Sequence, residues 1–285
     1  MCIRDRRNLR SDFVGGAYVF PGGGVDDHDR FADLESVCEG RSDAEASAQL
    51  GIESGGLAFW VAAVRESFEE AGVLLAYDGA DAGHAGHDGL IRFDDPATIE
   101  RFARHRRAVD AGERRLVEVC QDEGLRLAVG SMYYFSHWIT PEGPTRRYDT
   151  RFFVARAPDA QIPRHDDHEV IANLWVRPSE ALEAHRAGQF EMIFPTVRSL
   201  IALERFATAD ALMAAAAAIA EVPAILPRIV EDEGGGVRIV LPGDPGYDDL
   251  VTAHLPEGLA LTALSPDRSS SVTPGGARHA SAESA

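Results

Sequence analysis

Apolar residues recur along the chain with two periods, and the change from one to the other divides it into elements. Phe13–Pro21 carries Phe13, Val14, Ala17, Tyr18, Val19 and Phe20 between glycines, the pattern of a buried strand. A helix is expected over Arg30–Leu50, and a stronger one inside Ala58–Ala76, where Trp60, Val61, Val64, Phe68 and Ala71 fall on one side. Val73–Tyr77 reads as a short core strand, and Pro96–Glu123 as two helices broken at Gly112. Strands are expected at Tyr133–Ile139, Tyr148–Ala155 and Glu169–Val176, with Pro158–His168 as a loop. Helices follow over Pro178–Ala187, Phe194–Phe206 and Ala209–Ala220. Ile229–Glu231 and Val237–Leu241 alternate like a hairpin around Glu233–Gly236. Met1–Arg10 shows no apolar alternation, so no strand is expected there and the domain is expected to lack its first one. Ser265–Ala285 has the composition of a disordered tail.

Composition narrows the function classes. The 285 residues carry a formal net charge of −18, which excludes general binding to nucleic acid or anionic membranes, since both need a basic surface. Small phosphate substrates stay open, because a bound divalent cation inverts the local field. Cys2, Cys38 and Cys120 are scattered and odd in number, which argues for a reduced, cytoplasmic setting over a disulfide framework. The most apolar run, Ala211–Ala220, is too short to span a bilayer. His84 and His87 lie in a glycine-rich stretch and read as solvated loop, and Arg101, Arg104, His105, Arg106 and Arg107 read as a solvated helix face.

One stretch carries chemistry. In Arg65-Glu66-Ser67-Phe68-Glu69-Glu70-Ala71-Gly72-Val73, a helical reading places Glu66, Glu69 and Glu70 at i, i+3 and i+4 on one face. Gly72 reads as the glycine that ends the helix. Three carboxylates there lie at the negative end of the helix dipole and repel one another. Such a face is either left in water or supplied with a cation, and as a bare string the solvated reading is the commoner. Upstream, Pro21-Gly22-Gly23-Gly24 breaks the first strand sharply and lets backbone approach a phosphate closely.

Together, Phe20-Pro21-Gly22-Gly23-Gly24 and the helix ending Arg65-Glu66-x-x-Glu69-Glu70-x-Gly72-Val73 resemble the Nudix hydrolases, whose signature is G-x5-E-x7-R-E-U-x-E-E-x-G-U. The second half matches closely, with Ser67 at the U position. The first half is not contiguous with it: eight residues before Arg65 stands Leu57, where the signature has Glu. The box is therefore read as split, the glycine turn supplying its start and roughly thirty residues inserted before the helix. A branch similar to the peroxisomal CoA diphosphatases has such an insertion and the same VFPGG and RE-x-FEEAGVLL wording. Trp138-Ile-Thr-Pro141 with Arg147–Phe153, Glu169 before Trp175-Val-x-Pro-Ser-Glu180, and Phe194-Pro195-Thr196 extend the resemblance.

The resemblance implies an α/β fold: an α/β/α sandwich with a mixed sheet, helical insertions near 28–57 and 78–125, and a small C-terminal β appendage. The domain is expected over residues 1–220, the appendage over 221–264 and the tail over 265–285. The implied reaction is metal-dependent hydrolysis of a nucleoside diphosphate linked to X, with CoA or acyl-CoA as the first substrate class. ADP-ribose, a dinucleotide or a damaged nucleotide is the alternative, and a catalytically silent Nudix-fold binding module the third. By family pattern Glu66, Glu69 and Glu70 ligate Mg2+ or Mn2+, Arg65 orients them through an ion pair, and Gly22, Gly23 and Gly24 receive the substrate. Glu169 is the first choice of general base, and Asp26 is the stand-in for the missing box acid. The expected partner is a small CoA-like molecule rather than a nucleic acid polymer or a membrane; assembly as a homodimer is left open.

Overall fold

The computed structural model describes residues 2–7, 17–30, 33–79, 89–143, 146–158, 161, 170–231, 237–245 and 247–249. His84, His87, Glu169, the turn at Glu233–Gly236 and the tail Ser265–Ala285 lie outside the described residues. The chain divides into two units, Met1–His137 with Arg151–Pro223, and Trp138–Thr150 with Ala224–Ala285. Seven α-helices and ten β-strands are present among the described residues.

The first unit holds an antiparallel sheet in the order β2-β1-β7, from Tyr18–Val19 (β2), Cys2–Arg7 (β1) and Val170–Val176 (β7). The register places Cys2 opposite Val176 and Asp5 opposite both Asn173 and Val19. Met1–Arg10 thus contains a strand where none was expected. A strand held by a backbone ladder on both sides does not need apolar alternation to form. Only Tyr18–Val19 of the expected Phe13–Pro21 strand is seen as strand among the described residues.

The region between the glycine turn and the glutamate helix departs from the sequence reading. Arg30–Leu50 is not one helix: a 3-10 turn spans Leu34–Val37, and α1 begins only at Asp43 and runs to Leu50. Ser42 and Glu45 form a capping box that starts α1, a signal stronger than the weak apolar stripe around it. This segment also supplies the start of α2, Leu57–Ala71. Asp43 accepts hydrogen bonds from Gly55 N and Leu57 N, both at 2.9 Å, and Ser47 Oγ accepts one from Gly56 N at 2.9 Å. Two amide donors at the start of α2, those of Gly56 and Leu57, are therefore met from α1 rather than by a side-chain cap of its own.

After α2 the strand is displaced from Val73–Tyr77 to Ala76–Asp78 (β3). The Gln161 side chain takes the place of a neighbouring strand at Leu74, accepting from its N–H at 2.8 Å and donating to its carbonyl at 3.0 Å. β3 pairs with Leu125–Leu127 (β4), a three-residue strand too short for periodicity to reveal. Asp78 stands opposite Leu125, so the intervening chain leaves and returns at one point. That excursion carries Pro96–Asp110 (α3) and Leu116–Glu123 (α4). Tyr133–Ile139 (β5) and Asp149–Val154 (β6) are neighbours in a sheet. Pro178–Arg186 (α5), Phe194–Glu204 (α6) and Ala209–Ala217 (α7) fall where the pattern predicts them.

Two clusters form the interior of the first unit. Trp60, Phe68, Leu57 and Leu74 of α2 and its exit join Phe102, Leu127 and Tyr134 in the larger one. Trp60 also donates its indole N–H to Met132 O at 3.0 Å, so a large buried ring has its polar atom satisfied. Val176, Leu182, Met192, Val197 and Leu200 form the smaller. The second unit contains Ala224–Ile225 (β8) and the hairpin of Arg228–Glu231 (β9) with Val237–Val240 (β10), in register Val237 to Glu231. Arg228 there stacks over the Tyr247 ring, whose hydroxyl donates to Leu226 O. No helix among the described residues is long and apolar enough to cross a membrane.

Candidate active site

α2 ends as its sequence requires. Gly72 adopts φ 69°, a left-handed conformation that a side chain would resist, and its N–H closes on Phe68 O while Val73 N–H closes on Ser67 O. The charged half of α2 is not a solvated face. Arg65 is 7% exposed, Glu66 9% and Glu70 5%, so ionised groups are held out of water and each requires a partner.

Arg65 is the hub. Its Nη1 lies 2.9 Å from Glu66 Oε1 and 2.8 Å from Glu69 Oε2, so one nitrogen ties the two carboxylates together. Its Nε and Nη2 form a fork on the carboxylate of Asp29 at 2.9 and 3.0 Å, and Nη2 also donates to Gly24 O at 2.8 Å. Burial alone would lower the Arg65 pKa, but Asp29, Glu66 and Glu69 override it and hold the guanidinium charged. Burial pushes the Glu69 carboxyl up to about 7, against the pull of Arg65 and with the push of Glu66. Glu69 is thus held protonated to higher pH than a solvated carboxyl, chiefly because it is buried.

The glycine turn docks on the same face of α2. Gly22 N–H donates to Glu70 Oε2 at 3.0 Å. A Cβ at Gly23 would lie 2.3 Å from Glu66 Oε1, so any other residue there would push that carboxylate aside. Gly23 and Gly24 are exposed on their other side, which leaves the turn open to a ligand. Gly22, Gly23, Gly24, Arg65, Glu66, Glu69 and Glu70 are therefore brought together, while Glu169 lies outside the described residues.

Asp26 does not take the part expected of it. It is half-exposed, caps the short 3-10 turn Asp27–Asp29 and stands 3.9 Å from Arg65 Nε. The buried acid is Asp29, 1% exposed, which makes the two-pronged contact instead. Leu57, where the contiguous signature wants an acid, is fully buried in the core and has no part in the site.

Residues 43–203 match the family described as "NUDT19 Nudix domain". The chain belongs to the Nudix hydrolases. Among curated relatives, it is 26% identical over 274 residues to the acyl-coenzyme A diphosphatase NUDT19 of Xenopus laevis, covering 86% of this chain and 70% of that one. With the protein of the same description from Homo sapiens the identity is 29% over 272 residues, covering 85% and 71%. A crystal structure of a NUDIX hydrolase from Alicyclobacillus acidocaldarius superposes with a TM-score of 0.59 at 25% identity, over 78% of this chain and 89% of that one. The α/β fold is accordingly of the Nudix type.

With the family fixed, the split Nudix box can be read through. Six places after Gly23 stands Asp29, so Gly23-x5-Asp29 is the first half of the signature with Asp in place of Glu. Thirty-five residues, 30–64, separate it from Arg65 where the signature has seven. The signal was present in the forward count from the glycine turn; counting back from the helix leads to Leu57 and misses it.

The donor set is of the kind that fits a hard divalent cation. It consists of carboxylate oxygens, without thiol or imidazole, beneath a turn kept free of side chains. Among the described residues no three His, Cys, Asp or Glu side chains are already gathered as a metal cluster. Glu66 and Glu69 instead spend an oxygen each on Arg65.

Proposed function

We propose that this Nudix hydrolase cleaves the pyrophosphate linkage of CoA or an acyl-CoA, with Glu66, Glu69 and Glu70 holding Mg2+ or Mn2+. The observation that carries the reading is the docking of the glycine turn on the glutamate helix, through Gly22 N–H to Glu70 and Gly23 over Glu66. The relatives described as acyl-coenzyme A diphosphatases support the substrate class.

In the reaction, the oxygen of water bonds to one phosphorus, the bridging oxygen leaves with the other phosphate, and two phosphomonoesters result. A divalent cation supplies the charge that offsets the pyrophosphate and makes the water a better nucleophile. The chain's own residues do the rest. Arg65, fixed by Asp29 and Gly24 O, keeps Glu66 and Glu69 oriented. The turn Gly22–Gly24 leaves its open side to the phosphates. Glu169 takes the proton from the attacking water.

The test is a panel of CoA, an acyl-CoA, ADP-ribose and a dinucleotide, incubated with Mg2+ or Mn2+ and resolved by mass spectrometry. Phosphopantetheine or its acylated form, with the adenosine bisphosphate, is the expected product pair. Turnover confined to ADP-ribose or the dinucleotide would replace CoA as the substrate while leaving the site assignment intact.

A further inference from the structure

We infer that Arg106, on the inserted helix α3, is a positioning residue that sets the backbone from which Glu69 and Glu70 project. A helix leaves its last carbonyls without intrahelical partners. In α2 the Gly72 cap satisfies two of them, Ser67 O and Phe68 O. The next two belong to Glu69 and Glu70, and Arg106 meets both: Nε donates to Glu69 O at 2.8 Å and Nη2 to Glu70 O at 2.8 Å.

One planar guanidinium therefore fixes two successive peptide groups, and they carry two of the three proposed ligands. Its charge also sits at the negative end of the α2 dipole, where the carboxylates add to the unfavourable field. Arg65 constrains Glu69 through its carboxylate, whereas Arg106 constrains it and Glu70 through the main chain. The neighbours Arg104 and Arg107 point outward, as exposed residues. A residue in an insertion is thus joined directly to the main chain of the site.

The inference rests on the glutamate helix being a divalent-cation site, and the experiment separates the two. Mn2+ binding to the full chain is titrated by electron paramagnetic resonance, with circular dichroism and Tm on the same samples. Wild type is expected to bind Mn2+, and R106Q to bind it roughly 10-fold more weakly while folded, as loss of an outer partner of a ligand does. R106K keeps the charge but not the two-pronged geometry, and is expected to recover part of that loss. Equal Mn2+ affinity in wild type and R106Q, with only Tm lowered, would make Arg106 a plain helix cap and overturn the inference alone. Should R106Q not fold, R106K decides the question, an affinity equal to wild type counting against the inference. A wild type that binds no Mn2+ removes the cation site itself, and the inference with it.

Discussion

α2 and α3 are both fifteen residues long and both rich in charge, yet eleven residues of α2 are buried against two of α3. On α3, Arg104 and Arg107 face water, and Arg101 pairs with Glu123 while itself half-exposed. Ion pairs in that setting contribute about 0–1 kcal/mol. On α2, Arg65, Glu66 and Glu70 lie beneath the glycine turn and the 3-10 turn that follows it. The same residue types face water at Arg104 and Arg107 of α3 and form a closed electrostatic network on α2, with Arg106 of α3 reaching across to that network's main chain. The apolar side of α2 is buried by its own composition, whereas its charged side is buried by the segment that covers it.

The contrast can be broken at several strengths. The largest effect is expected for Glu66→Gln and Glu69→Gln, which should lower the rate of CoA hydrolysis ~100-fold or more while the chain stays folded. A steady-state assay checks this, and rates within a few-fold of wild type would return α2 to the status of α3. Next comes Asp29→Ala, which takes away the buried partner of Arg65. It is expected to cost about 3 kcal/mol in urea denaturation, the low end for a broken buried pair, because Glu66 and Glu69 remain on the guanidinium.

A smaller effect comes from pH. In chelator, folded Glu69 keeps its proton up to about 7, whereas the unfolded chain releases it near 4.5. Between those values the folded state binds more protons, so this group's contribution to stability falls as pH rises through the window. Tm against pH should therefore be flatter for Glu69→Gln than for wild type, and parallel curves would contradict a buried carboxyl that holds its proton. The smallest effect belongs to α3: Arg104→Ala and Arg107→Ala should each stay within about 0.5 kcal/mol of wild type.

How far the sequence could be read follows the same division. Long periodic elements were legible: β5 runs over Tyr133–Ile139 as predicted, and α3 and α4 flank Gly112. Gly72 was legible too, because a left-handed cap leaves a residue-specific mark. Three kinds of feature were not. β1 is held by its two neighbours in the sheet rather than by its own pattern. The break between Val37 and Asp43 is set by local capping at Ser42. Arg106 looked like any other arginine on a polar face, since a bond to a carbonyl of another helix leaves no trace in spacing. The glutamates were readable as a motif, but their burial depends on a turn more than forty residues upstream. Asp29 lay in between: the spacing from Gly23 marks it, and the two-pronged contact with Arg65 gives that spacing its meaning.

On the proposed function, the glycine turn and the glutamate helix form one hydrolytic site. Gly23→Ala tests it most directly, because the added Cβ meets only the far end of the Glu66 side chain, which can move at small cost to folding. CoA hydrolysis with Mg2+ should be measured for wild type, Gly23→Ala and Glu66→Gln, with Tm recorded for each. Wild type is expected to form product, Gly23→Ala at least ~10-fold less with a near-unchanged Tm, and Glu66→Gln a comparable amount or still less. Wild-type rates in Gly23→Ala beside a silent Glu66→Gln would contradict it, since the turn would then lie outside the site.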